Sequence, residues 1–416
     1  MSLVPSTTTL TLPNDQEASG RTFDGAELEL VAEVLRSGTL TSTKGTVVAR
    51  FERAVAELLG VRHAVACASG SAAVHAAVAV VDPRPGEEVV TTSVTDMGAL
   101  APIVYQGAIP VFADTDPVTG NVTAESVEAV LSGRTRAIIV THLFGNPVDV
   151  AGIRAVAARA GVPVIEDAAQ AYLADTPLGL VGSVGELGAF SLQQGKHITC
   201  GEGGFVTTQD DELAEQVRIY VNKSWPYGRP DPDHRGLALN YRLTELQGAV
   251  ALGQLGKLPA GVASRRETAA LLDTAVDGID GVVATVAAPG HRHSYWRYVL
   301  HVDPEVVPGG PVALANELRP LGIPSAPRYI AKPAFRCGVF AEQNTFGDSR
   351  WPFPLARPEA VDYSAERFPG TFAFLDSVLV LSLNERYTAE HAEFVAAGLR
   401  DAVASARHEA RHEARS

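Results

Sequence analysis

Phe190-Ser191-Leu192-Gln193-Gln194-Gly195-Lys196-His197-Ile198-Thr199-Cys200-Gly201-Glu202-Gly203-Gly204-Phe205-Val206 places one lysine in a short apolar run that closes in a glycine-rich turn and resumes as a second β-like run. Among 34 Lys+Arg, lysine occurs only at positions 44, 196, 223, 257 and 332, and Lys196 alone lies between apolar segments. A desolvated lysine loses its proton readily, and the neutral amine condenses with carbonyl groups. A lysine snorkelling from a tight turn would have the same local sequence.

Upstream, Gly161-Val162-Pro163-Val164-Ile165-Glu166-Asp167-Ala168-Ala169-Gln170 is an apolar strand-like run that ends in carboxylates. Open α/β sheets bind ligands at such strand ends. A lysine and a strand-end acid together are what pyridoxal phosphate requires: an amine to hold the aldehyde and a carboxylate to keep the ring nitrogen protonated. Asp167 is equally placed to cap a helix. Glu166, pointing the other way on an extended segment, reads as structural.

These residues, with Leu239-Asn240-Tyr241-Arg242-Leu243-Thr244-Glu245-Leu246-Gln247, resemble the DegT-type aminotransferases over about residues 25–400. That family consists of fold-type I, pyridoxal-phosphate-dependent enzymes that aminate keto sugars and keto-cyclitols. The resemblance implies that Lys196 and Asp167 are catalytic, that Gly70, Ser71 and Ser191 hold the cofactor phosphate, and that Gln170 bonds near its phenolic oxygen. It also implies that Asn240 crosses a homodimer interface to the partner's phosphate, so that active sites are shared.

The phosphate assignment has a physical basis in Ala68-Ser69-Gly70-Ser71-Ala72-Ala73, where small residues at a helix start expose N–H groups to an anion. A plain capped turn is the alternative there. No GxGxxG follows a strand, so a dinucleotide site is unsupported. One position departs from the family pattern: Ser93-Val94-Thr95-Asp96-Met97 offers Asp96 where an aromatic residue usually covers the cofactor ring. Asp96 either caps the helix that follows or meets the substrate. His142, after the strand-like 138–141, lines the pocket or fills a structural role, and Arg328 and Tyr329 are candidate substrate contacts.

The 416 residues, 46% hydrophobic and 20% charged, are globular in composition and long enough for a large and a smaller domain. A net charge of −14 argues against nucleic acid or an anionic membrane as partner. Cys67, Cys200 and Cys337 fit no metal or redox spacing, and with no leader or spanning segment the expected location is the cytoplasm, with no metal.

A βα rhythm from residue 63 to 207 predicts a mostly parallel, doubly wound sheet. After about residue 259 the pattern changes to α+β. The expected organisation is an N-terminal arm at 1–24, loose at least to residue 22, a large cofactor domain at 25–258, a small C-terminal domain at 259–405 and a charged tail at 406–416. Residues 341–370, rich in proline, are expected to form a long loop that with Arg328 and Tyr329 selects the acceptor. The function implied is transfer of an amino group from glutamate or glutamine to a keto sugar or keto-cyclitol in a secondary-metabolite (aminoglycoside-like) or surface-sugar pathway. The alternatives are a sugar dehydratase on the same fold, which would lack the lysine, and a non-catalytic sensor.

Overall fold

The computed structural model describes residues 10–413. Seven strands form the main sheet: β1 (His63–Cys67), β2 (Glu88–Thr92), β3 (Ile109–Ala113), β4 (Thr135–Thr141), β5 (Val164–Asp167), β6 (Leu187–Ser191) and β7 (Gly204–Thr208). Their spatial order is β1-β7-β6-β5-β4-β2-β3. β7 pairs antiparallel with both neighbours, and the remaining pairs are parallel. Runs such as Ile138-Ile139-Val140 are buried because helices cover both faces, as parallel sheets require. The expected mixed, mostly parallel α/β sheet of the fold-type I class is the observed one.

A second sheet has the order Val282–Ala284, Arg297–Val302, Val378–Ser382, Ser325–Pro327, all antiparallel. Helices Leu258–Val276, Gly310–Leu318 and Ala389–Glu413 bury Leu272, Leu314 and Leu399 against Leu300 and Leu381. The strand Val378–Ser382 has no sequence counterpart in the reading above, because a continuous five-residue apolar run carries no period that separates strand from helix.

Two sequence expectations change here. The arm is not loose over its described part: Asp15 and Arg21 are buried, and Asn384 Nδ2 donates to Gly20 O at 3.0 Å. The proline-rich stretch is a chain of short helical turns that returns to the main sheet, with its Phe353 and Phe368, and Phe335 and Phe340 just before it, packed in the core of Phe112 on β3. Arg357 secures it by donating to Glu88 at 2.6 Å. The charged tail continues a helix to Glu413, with Arg407 bonded to Val306 O at 3.0 Å, and residues 414–416 lie outside the described residues.

The helix Val47–Leu59 has no side-chain cap of its own from Thr46. Its first N–H groups, on Val47 and Val48, instead donate to the buried Glu245 carboxylate at 2.7 and 3.1 Å. Glu245→Leu should therefore cost about 1.5–3 kcal/mol in chemical denaturation, the usual worth of a hydrogen-bonded charged group, with Glu245→Gln losing less. Equal losses for the two variants would show that packing, not the cap, is responsible.

Candidate active site

The C-terminal ends of the parallel strands converge on a cavity of about 220 Å³. β1 leads into the helix Gly70–Val81, whose N-cap Ser69 accepts the Ala72 N–H at 3.1 Å. β5 ends in Asp167, β6 in Ser191, and the turn after β6 brings Lys196 back over the sheet edge. Gly70, Ser71, Asp96, Asp167, Gln170, Ser191 and Lys196, separated by up to 126 positions, all line this one space.

Glycine is needed where Ser191 meets the helix start. A Cβ on Gly70 would lie 2.6 Å from Ser191 Cβ. Gly98 is similarly confined, since its Cβ would come within 2.4 Å of Ser71 Oγ. The close approach draws two hydroxyls and a helix N-terminus into a cradle suited to an anion.

Lys196 faces the cavity and is only partly covered, yet the protein packed round it desolvates its amine. Burial lowers its pKa to about 8, against the opposing pull of Asp167 and Asp96, while Arg297 adds to the depression. Asp167 is shifted the other way: burial raises it, opposed by the Ala169 N–H and the charge of Lys196. Its carboxylate accepts from Ala169 N at 3.2 Å and Thr141 Oγ1 at 3.4 Å. A desolvated acid and a desolvated amine thus face one cavity and stabilise each other's charge.

Gln170 is fixed by accepting the Phe144 N–H through Oε1 at 2.7 Å, and its Nε2 reaches Tyr329 Oη at 3.4 Å. Tyr329 packs edge-on against Phe144, with ring centroids 4.6 Å apart, and burial pushes its hydroxyl up to about 12. It stands beside the cavity, not in its lining. Arg328 turns away to Asp376, 2.7 Å distant. Asp96 caps the helix Met97–Tyr105 through the Gly98 N–H at 2.8 Å and also lines the cavity. Met97 is not in the lining.

His142 does not reach the cavity. It is fully buried, its Nδ1 accepts the Val148 N–H at 3.1 Å, and Nε2 donates to Glu166 at 3.0 Å. Glu166 also accepts N–H groups of Gly182, Val184 and Gly185 at 2.6–3.0 Å. Burial alone would raise this carboxyl, but the bonds from His142, Gly185 and Gly182 hold it below the ordinary range. Adjacent residues of one strand thus divide: Asp167 serves the cavity and Glu166 the scaffold. Asn240 is exposed, away from this chain's cavity, and its Oδ1 accepts the Arg242 N–H at 3.2 Å.

Sequence reasoning missed Thr95, Gln193 and Glu202 in the lining. It also missed Trp296, whose ring centroid lies 4.2 Å from Lys196 Nζ and whose N–H donates to Gly195 O at 2.7 Å. A tryptophan 100 positions downstream carries no local signal of that contact.

The cradle, the amine and the acid fit a phosphorylated aldehyde with a ring nitrogen, and so define the class: a pyridoxal-phosphate enzyme of fold type I. Residues 22–400 match the model of the DegT/DnrJ/EryC1/StrS aminotransferase family, and the chain belongs to that family. Over 324 residues it is 35% identical to GDP-perosamine synthase of Caulobacter vibrioides, covering 76% of this chain and 85% of that one. It is also 35% identical over 291 residues to the spore coat polysaccharide biosynthesis protein SpsC of Bacillus subtilis, covering 67% and 73%. The solved structure of 3-amino-5-hydroxybenzoic acid synthase matches with a TM-score of 0.82 at 29% identity, covering 92% of this chain and 98% of that one. The protein is a pyridoxal-phosphate-dependent aminotransferase of a family that includes sugar-aminating enzymes.

The depressed Lys196 value has a consequence for stability. Between about pH 8 and the ordinary 10.5 the unfolded chain holds a proton that the folded chain has released, so stability rises with pH across that window. Below it, the charged amine is a standing cost. In the cofactor-free protein Lys196→Met should therefore be more stable than the parent at pH 7 by about 1–3 kcal/mol, and the gap should shrink by pH 10. Denaturation at both pH values checks this; a gap that is constant with pH would show that the amine is not strained.

Proposed function

We propose that the protein transfers an amino group from glutamate or glutamine to a keto sugar or keto-cyclitol, working in the cytoplasm as a homodimer with shared active sites. The observation that carries this is the meeting of Lys196, Asp167 and the Gly70-Ser71-Ser191 cradle in one cavity. The sugar-pathway names of the two relatives favour a sugar acceptor, and an aminoglycoside-like or surface-sugar pathway supplies such ketones. No helix among the described residues is long and apolar enough to cross a membrane.

In this mechanism Gly70, Ser71 and Ser191 bind the cofactor phosphate, Asp167 holds the ring-nitrogen proton, and Gln170 orients the ring edge. When bound, pyridoxal phosphate supplies an aldehyde to take up nitrogen and a ring to withdraw electrons. Lys196 Nζ, neutral in a large fraction of molecules near pH 8, would hold the cofactor. The free Lys196 amine would take the proton from the substrate α-carbon and return it to the cofactor carbon that had borne the aldehyde oxygen, a positioned transfer worth about 10²–10⁴-fold. Trp296 keeps the freed amine within reach.

Asn240 is offered to the other subunit, in accord with its exposure. Asp96 and Glu202 lie on the cavity wall, where carboxylates bond acceptor hydroxyls or an ammonium group.

With L-glutamate or L-glutamine as the sole donor, the loaded enzyme should release 2-oxoglutarate or 2-oxoglutaramate in an amount equal to its cofactor; no keto acid from either would end this donor assignment. Mixing inactive Lys196→Ala with inactive or weakened Asn240→Ala subunits should restore activity through hybrids that hold one intact site. Absence of recovery after demonstrated subunit exchange would count against shared sites. Asp96→Asn retains the helix cap, so it should leave thermal stability and cofactor binding intact while lowering acceptor turnover about tenfold or more, a loss of one charge-assisted contact. Unchanged turnover would return Asp96 to the scaffold.

A further inference from the structure

The indole of Trp296 has two cations against it. Lys196 Nζ lies 4.2 Å and the Arg297 guanidinium carbon 4.4 Å from its ring centroid. Its N–H is committed to Gly195 O, the carbonyl just before Lys196, so one side chain contacts both the amine and the backbone that carries it. Contact of cation and ring is favourable, by about 0.5–2 kcal/mol depending on desolvation.

Arg297 is itself held. Its Nη1 donates to Asp15 Oδ2 at 3.1 Å. Asp15, 5% exposed, also lies 3.4 Å from Arg265 Nη2 and 3.9 Å from Arg21 Nη2. Arg265 pairs with Glu385 at 2.5 Å, and Arg21 lies 3.9 Å from the same residue. Three guanidiniums therefore face two carboxylates, and the Arg297 end of the excess positive charge rests on the indole. The arm is also tied to the lysine turn: Gln194 Nε2 donates to Asp15 O at 3.0 Å, and Arg21 Nη2 donates to Gln194 O.

We propose that Arg297, anchored by Asp15 of the N-terminal arm, is a positioning residue for Lys196: it fixes the Trp296 indole and sets the charge environment of the lysine amine. Residues 14–21 then belong to the active site although none of them lines the cavity. This deepens the reading of Lys196 as the reactive amine. The charges that face Lys196 are Asp167 and Asp96, which favour the ammonium form, and Arg297, which opposes it. His197, the next residue, faces Ser294 O at 3.1 Å and is held neutral by burial, its pKa far below the ordinary value. Arg297 is thus the one named cation acting against the two acids.

The test is competitive acetylation of the full-length, cofactor-free chain from pH 6 to 10, with the label on the Lys196 peptide counted by mass spectrometry. It reads the amine itself, so it stands or falls apart from whether Lys196 carries the cofactor. Arg297→Gln should raise the labelling midpoint by about half a pH unit, a roughly threefold drop in neutral amine, whereas Arg297→Lys, which keeps the charge, should stay near the parent. A merely structural role would lower the melting temperature in both variants and move neither midpoint. A folded Arg297→Gln protein with the parent midpoint, or equal shifts in both variants, would overturn the proposal. Should Arg297→Gln fail to fold, Asp15→Asn decides: releasing Arg297 from its anchor should raise the midpoint, as Arg297→Gln does, and an unmoved or lowered midpoint would be contrary.

Discussion

A desolvated amine opposite a desolvated carboxylate is the constraint to which the rest of the molecule is fitted. Lys196 and Asp167 each lose hydration in the cavity, and each offsets part of the other's loss. An amine that stayed fully protonated could not attack an aldehyde. The depressed value near 8 would suit both tasks proposed for Lys196, base and nucleophile.

The sheet makes this pairing geometrically easy. Parallel strands deliver their C-terminal ends to one edge, so Ser69–Ser71 after β1, Asp96 after β2, Asp167 on β5 and Ser191 on β6 arrive together without long excursions. β7 runs against its neighbours, which lets the chain turn back beside β6 and hold the lysine turn between two strand ends. Alternation along β5 then separates two carboxylates only one residue apart. Glu166 binds three amides and His142 behind the sheet, and that rigid web keeps Asp167 aimed at the cavity.

The parts of the site that were legible in the sequence are those carried by local pattern. Lys196 in its glycine-closed run, Asp167 at a strand end and Gly70-Ser71 at a helix start each announce themselves within ten residues, and the resemblance set them in order. What was illegible depends on distance along the chain or on a choice between satisfied partners. The Trp296 contact with Gly195 spans 101 positions, and the Arg297–Asp15 pair spans 282. His142 had two open readings, and only the bonds to Glu166 and Val148 show that both ring nitrogens serve the scaffold. The arm looked loose because polar residues are normally solvated, whereas Asp15 and Arg21 are buried in a cluster whose members come from four separate segments. The fold class was plain from the βα rhythm; the return of the proline-rich stretch to the main sheet was not, since an aperiodic sequence gives no hint of what it will cover.

The central claim is that one lysine of five meets the cofactor. Borohydride reduction of the loaded enzyme, followed by digestion and mass spectrometry, locates the attachment directly. The account predicts the cofactor mass on the peptide containing Lys196 and on no other. Attachment at Lys44, Lys223, Lys257 or Lys332 would contradict it.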